Sequence, residues 1–333
     1  MPNENAANSR IESVEIRGGG LSAKILNYGA TLADLIVETS GGPRSVVLGF
    51  DDPEAYRTHG AFFGAVAGRC ANRIADGRFE LDGEEHQLHL NEKGRTHLHG
   101  GGAGFWQKLW TIAERDKSSV LLTLVSPDGD QGYPGNLRVS CRYSIQAGKL
   151  VIGLTARTDK PTLVNLATHS YFNLDGSDTI LDHMLTIPAH AYTPVNADII
   201  PTGELAPVEG TAFDFRTARP VEKARSETAR VDYDHNFALA MRPFAQPHLA
   251  ARLEASRLAM EIWSTEPGLQ FYDGNFLPVS EPLRGGRKGQ RFGGLCLEPQ
   301  RFPDAIHHPE FPGSVLRPDE TYAQTTEYRF LEI

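Results

Sequence analysis

Apolar side chains recur at every second position along much of this chain, and that period admits one kind of backbone. Leu21, Ala23 and Ile25 form such a row, as do Val120, Leu122 and Leu124, and Val139, Cys141, Tyr143 and Ile145. Leu150, Ile152 and Leu154, and then Leu258, Met260 and Ile262, repeat it. Successive side chains of an extended strand point to opposite faces, so each row reads as a strand with one face in a core. Turn signals separate the rows. Asp82-Gly83, between Phe79/Leu81 and Leu88/Leu90, marks a short hairpin because both residues tolerate positive φ. The 33 Gly and 21 Pro fall mostly in such joints, which argues against long helices. Only residues 217–231 have the Ala, Glu, Lys and Arg content of a helix, with Pro220 and Tyr233 near the ends instead of clear caps. The sequence shows no repeat, low-complexity segment or Pro/Ser-rich linker. The expected architecture is therefore all-β: one large antiparallel β-sandwich, a single domain over residues 1–333 with a flexible polar N-terminus over residues 1–10.

Charge and cysteine usage narrow the function. A net charge of −9 and a pI near 5.7 repel nucleic acid and anionic membrane at long range, so no partner of either kind is expected. Neutral small molecules fit better. Cys70, Cys141 and Cys296 lack C-x-x-C spacing and are odd in number, which points to a reducing compartment. Met1 to Ile11 lacks the basic-then-apolar pattern of a signal peptide, and no run of about 18 apolar residues follows. The cytoplasm is the expected location. The sequence carries no signal for an oligomeric state.

Polar residues standing where strands should be apolar are the candidate functional groups. In Leu295-Cys296-Leu297-Glu298 the leucines share one face, and Glu298 shares the other with Cys296 and Gln300. Gln270 opposes Leu269 and Phe271, both imidazoles of His97-Leu98-His99 share a face, and Asn165 and His169 lie together. If these faces converge, they line a cleft on one sheet. Taken singly, a strand glutamate is ordinarily solvated and a histidine ordinarily structural. His97 and His99 have the spacing of a metal pair, but no third ligand is evident nearby in sequence, so no metal is expected. Gly100-Gly101-Gly102-Ala103-Gly104 lacks the spacing and flanking elements of a nucleotide loop. Asp128-Gly129-Asp130-Gln131-Gly132 lacks the distant glutamate of a calcium loop and reads as a polar turn.

Together these segments resemble the aldose 1-epimerase (galactose mutarotase) family over nearly the whole chain. The match runs through Asn27-Tyr28-Gly29-Ala30-Thr31, Gly68-Arg69 with Ala71-Asn72-Arg73-Ile74, Leu98-His99-Gly100-Gly101, and Ser126-Pro127-Asp128-Gly129 with Gly132-Tyr133-Pro134-Gly135. It continues through His169-Ser170-Tyr171-Phe172-Asn173-Leu174, Asp234-His235-Asn236-Phe237 and Pro267-Gly268-Leu269-Gln270-Phe271-Tyr272. It ends with Cys296-Leu297-Glu298, Gln300 and Phe302-Pro303-Asp304-Ala305. The resemblance implies a galactose mutarotase-like supersandwich that interconverts anomers of free aldoses without cofactor. It also implies His169 as acid, Glu298 as base, and Asn72, Arg73, His99, Asp234 and Gln270 as sugar-holding residues. Three departures stand out: Thr168 and His307 where the family has asparagine, and Asp319 where it has glycine. Thr168, beside the acid, is the departure nearest the chemistry.

This chemistry needs two groups, one taking the C1 hydroxyl proton while the other protonates the ring oxygen. Histidine's ordinary pKa near 6.5 leaves a protonated fraction at neutral pH. Glutamate serves as base if its pKa rises from about 4.3, and Asp234 nearby would raise it. A bell-shaped pH profile follows. The competing expectations are a hexose-phosphate epimerase, which needs more cationic groups than Arg73, and a non-catalytic sugar-binding module.

Overall fold

The computed structural model describes residues 10–58, 62–222, 231–277 and 282–333. The alternating rows become the strands Leu21–Leu26, Ser119–Ser126, Leu137–Gln146, Lys149–Thr158 and Leu258–Ser264, each turning its apolar set toward the core. Asp82 and Gly83 take φ of 52° and 84° and join Arg78–Leu81 to Glu84–Gln87 as a tight hairpin. Among the described residues α-helix is confined to Ala55–Thr58, which spans 4 residues, and to Val221 and Glu222 within the stretch of helix-like composition. Residues 223–230, most of the stretch with helix-like composition, lie outside the described residues, as do residues 1–9 of the polar N-terminus.

Nine strands form the largest sheet, in the order Thr111–Arg115, Ser119–Ser126, Leu137–Gln146, Lys149–Thr158, Tyr322–Glu332, Leu258–Ser264, His248–Ala255, Met184–Thr186 and Arg219–Pro220. The C-terminal strand thus closes the middle of the sheet, pairing antiparallel with Lys149–Thr158 and Leu258–Ser264. A second sheet of six strands runs Tyr171–Phe172, Leu295–Gln300, Gly268–Tyr272, Asp234–Ala238, Ala191–Tyr192 and Ala206–Pro207. Its Leu269, Phe271, Leu295 and Leu297 join Ile152, Leu154, Met260 and Tyr328 of the larger sheet in one apolar cluster that spans Val14 to Tyr328. Residues of a four-stranded sheet, including Ile16, Leu21 and Leu35, enter the same cluster.

That packing fixes what the other face of the six-stranded sheet presents. A one-residue slip of Leu295–Gln300 would drive Glu298 into the core and Leu297 out of it. Each leucine contributes about 1.5–3 kcal/mol by its burial, and a carboxylate in that core would add a desolvation cost. The leucines therefore aim Glu298 as firmly as any contact of its own.

Candidate active site

Register lays the polar row across three strands. Glu298 stands opposite Gln270, which stands opposite Asn236, and the neighbouring row runs Tyr171, Cys296, Tyr272, Asp234. A short ladder faces this sheet, with Arg73 opposite Leu98. Asn72 and His99 end the ladder in left-handed conformations, φ 59° and 50°. They clamp one another: the Asn72 amide donates to His99 Nδ1 at 3.1 Å, and the His99 amide donates to the Asn72 carbonyl at 2.9 Å. Gly100 continues the turn at φ 85°, where a Cβ would collide with the Gly68 carbonyl. His169 is held by its backbone, its amide donating to Ala65 and its carbonyl accepting from Gly64.

The two faces enclose a cleft of about 360 Å³ lined by Asn72, Arg73, His99, His169, Asp234, Gln270 and Glu298. All seven expected residues meet in this one place. Phe62, Glu92, Lys93, Leu98, Tyr171, Ile199, Tyr272 and Phe276 complete its walls. A second depression of similar volume, between Arg10, Glu12 and residues 109–115, has no histidine in its lining.

His169 Nε2 lies 3.8 Å from Glu298 Oε1, with both side chains almost fully buried. The separation is too long for a hydrogen bond between them. It lets each group reach one of two oxygens borne by a single carbon. Burial pushes His169 down to about 4. Burial, reinforced by the Asp234 carboxylate and opposed by Arg73, pushes Glu298 well above its ordinary range. Burial therefore favours the uncharged forms of both groups, imidazole and carboxyl, over the charged pair. This differs from the expected protonated histidine, because desolvation outweighs the attraction of a carboxylate that is itself suppressed.

Arg73 is tied along one edge to Glu92, Nε to Oε2 and Nη2 to Oε1, both at 2.8 Å, and reaches Asp234 Oδ2 at 3.5 Å. These contacts use three of its five N–H groups and leave two for a ligand. Burial works against the guanidinium charge, but Glu92 and Asp234 outweigh it and hold the pKa above the ordinary value. Gln270 Nε2 donates to Asp234 Oδ1 at 2.6 Å, so that carboxylate is aimed from two sides. Burial, then the nearby His169 and Arg73 charges, keep His99 well below its ordinary pKa, a neutral ring.

One expectation from strand alternation changes here. His97 and His99 do not share a face, because the strand ends at Leu98 and His99 turns back through positive φ. His97 is structural: Tyr133 Oη lies 2.7 Å from its Nε2 and the His89 carbonyl 2.7 Å from its Nδ1. Thr168 points away from the cleft, its hydroxyl 3.1 Å from that of Tyr328. His307 also stands apart, bonded to Asp304 at 2.7 Å. Glu92 went unnoticed in the sequence, since it lies in a loop and no periodicity places it. Among the described residues His169, Cys296 and Glu298 are the group close enough to suggest a metal. The imidazole turns Nδ1 to the thiol and Nε2 to the carboxylate, so no one nitrogen faces both.

The aldose 1-epimerase family model matches residues 12–329. The chain belongs to the aldose 1-epimerase family. It is 43% identical to galactose mutarotase of Rattus norvegicus over 327 residues, covering 96% of this chain and 94% of that one. Aldose 1-epimerase of Escherichia coli (strain K12) is 39% identical over 322 residues, covering 94% and 92%. Among solved structures, an aldose epimerase homologue from C. elegans superposes with a TM-score of 0.91 at 29% identity, covering 97% of this chain and 100% of that one. Galactose 1-epimerase from Lactobacillus acidophilus gives 0.83 at 29% identity, with 100% and 97% covered. The aldose 1-epimerase fold is thus shared from end to end, and the cleft lies within the matched residues.

Proposed function

We propose that this chain is an aldose 1-epimerase that interconverts the α and β anomers of free aldoses such as D-galactose and D-glucose, with His169 as acid and Glu298 as base. The meeting of these two groups at 3.8 Å in a cleft that also presents Asn72, Arg73, His99, Asp234 and Gln270 carries the reading. Glu298 carboxylate takes the C1 hydroxyl proton as the His169 imidazolium gives its Nε2 proton to the ring oxygen. The C1 to ring-oxygen bond breaks, its electron pair goes to that oxygen, and a carbonyl forms at C1. After rotation about C1–C2 the ring hydroxyl returns its proton to Nε2, and Glu298 protonates the new C1 oxygen. The pair carries one proton throughout. Burial favours the uncharged arrangement, carboxyl with imidazole, which is the arrangement ring opening produces. The desolvation that suppresses the charged pair thereby draws the reaction toward the open chain.

Asn72, Arg73, His99, Asp234 and Gln270 hold the hydroxyls: the arginine as donor, Asp234 as an acceptor for two of them, and the neutral His99 ring through a single lone pair or N–H. A hexose phosphate fits poorly, since Arg73 is already matched by Glu92 and Asp234, and Lys93, the other cation lining the cleft, is exposed to solvent. A mere sugar-binding module has no use for an acid and a base facing one another. The names of the rat and E. coli relatives agree with epimerisation. We read the chain as one cytoplasmic domain working without cofactor or metal. Among the described residues no helix is long and apolar enough to cross a membrane, and the three cysteines are free and buried.

Polarimetry on freshly dissolved α-D-glucose and α-D-galactose tests the reading. The wild-type protein should speed the change in rotation, and the Glu298→Gln protein should bind sugar yet scarcely do so. Sugar binding by the wild-type protein with no faster rotation change would establish the binding module instead.

A further inference from the structure

We infer that Cys296 is a positioning residue for His169: its sulfur fixes one imidazole proton on Nδ1, so that Nε2 is the nitrogen that exchanges a proton with the sugar. The inference rests on the acid/base reading above. Cys296 precedes Glu298 by two positions on Leu295–Gln300, so alternation sets thiol and carboxylate on one face. Its lateral place is fixed by register, opposite Tyr171 on one side and Tyr272 on the other. From there Sγ lies 3.5 Å from His169 Nδ1, while Nε2 of the same ring lies 3.8 Å from Glu298 Oε1. The thiol grips one edge of the ring and the opposite edge faces the base. Phe62 at 5.4 Å and Tyr171 and His99 at 5.1 Å between ring centroids close around the imidazole, and Cys296 has no exposed surface.

The choice of sulfur follows from what the acid must do. When Nε2 gives its proton to the ring oxygen, the ring must keep the one on Nδ1, and an acceptor placed there holds it. A carboxylate in that position would stabilise the imidazolium and make it a poorer acid. A thiol is a weak acceptor, and burial holds this one in its uncharged form. It orients the ring without binding the proton that must leave.

Histidine-selective ¹⁵N NMR of the whole protein, paired with polarimetric kinetics, tests this. In the wild-type protein at neutral pH, His169 should show a protonated Nδ1 and a bare Nε2. Cys296→Ala should mix the two tautomers and lower kcat about tenfold, the worth of one hydrogen bond, with KM changed by less than about twofold. Cys296→Ser, whose hydroxyl also accepts, should recover most of the lost kcat. A wild-type His169 protonated on Nε2 overturns the inference even if the alanine variant does not fold, and so does an alanine variant with undiminished kcat. Full activity in His169→Asn would instead overturn the acid/base reading itself.

Discussion

Arg69 and Arg73 stand four residues apart in one motif, both buried, yet their surroundings are opposites. Arg69 is 1% exposed and spends every donor on the chain itself: Nε on Ser126 Oγ, Nη1 on the Pro134 carbonyl and Thr162 Oγ1, Nη2 on the carbonyls of Ser126, Pro127 and Gly135. Burial lowers its pKa, with Asp130 opposing, but neutral oxygens satisfy it fully. Arg73 is held along one edge by carboxylates and keeps N–H groups for a guest. The loops around Arg69 are stitched together, including the polar turn at residues 128–132, whose Asp128 and Asp130 already pair with Lys160 and Lys108. The cleft is the contrary case, where Arg73 keeps N–H groups for a guest and His169 and Glu298 face one another at 3.8 Å, beyond hydrogen-bond reach. Function resides where satisfaction stops, since a fully paired group has no capacity left for a ligand.

This contrast can be broken most sharply at the reacting pair. Glu298→Gln or His169→Asn should slow mutarotation by about 10²–10⁴-fold while the protein stays folded, as polarimetry and circular dichroism would show. Loss of folding in either would place the pair on the Arg69 side of the comparison. Arg69→Met should do the reverse. It strands several buried oxygens at about 1–3 kcal/mol each, so denaturant unfolding should show a large loss of stability, with activity falling only in step with the folded fraction. Arg73→Ala should weaken kcat/KM by about 10–100-fold through lost charged hydrogen bonds, with a small change in unfolding midpoint. Unchanged kinetic constants would make Arg73 a second Arg69.

A subtler effect follows from the raised Glu298 pKa. Folded Glu298 holds its proton above the pH at which the unfolded chain releases it, so between those values the native state binds more protons. Stability should therefore decline as pH rises from the ordinary carboxylate range through the raised folded value. Glu298→Gln removes that decline and should be increasingly more stable than wild type as pH rises, measured by urea unfolding. His169 has the opposite sign: its pKa is depressed to about 4, so stability is lost as pH falls from about 6.5 toward that value. The smallest effect belongs to Thr168→Asn, which should leave kcat/KM for glucose and galactose nearly unchanged, because residue 168 faces Tyr328 and not the sugar.

Much of this was legible in the sequence because alternation is a strict rule. Leu295 and Leu297 face the core, so Glu298 must face away, and Gln270 follows from Leu269 and Phe271 in the same manner. The rule fails where backbone leaves the strand. Positive φ at His99 sent the paired imidazoles of residues 97 and 99 to different places, and no side-chain pattern announces such a turn. Glu92 reaches Arg73 from a loop, a contact that only the assembled fold creates. The C-terminal strand Tyr322–Glu332, central in the larger sheet, mixes buried and exposed residues too irregularly to show its rank. The depressed His169 pKa was equally hidden, since it comes from burial to which Phe62 and His99 of distant segments contribute.

The claim that one proton is shared by a buried, mismatched pair is tested most directly by the pH dependence of kcat/KM. In the wild-type protein the acid limb should belong to His169, near 4, and the alkaline limb to Glu298. With one group left, the residual rate of Glu298→Gln should need the His169 imidazolium and fall as pH rises, and that of His169→Asn should need the Glu298 carboxylate and rise with pH. The account would be contradicted by the reverse pattern, a residual rate that rises with pH in Glu298→Gln and falls with pH in His169→Asn.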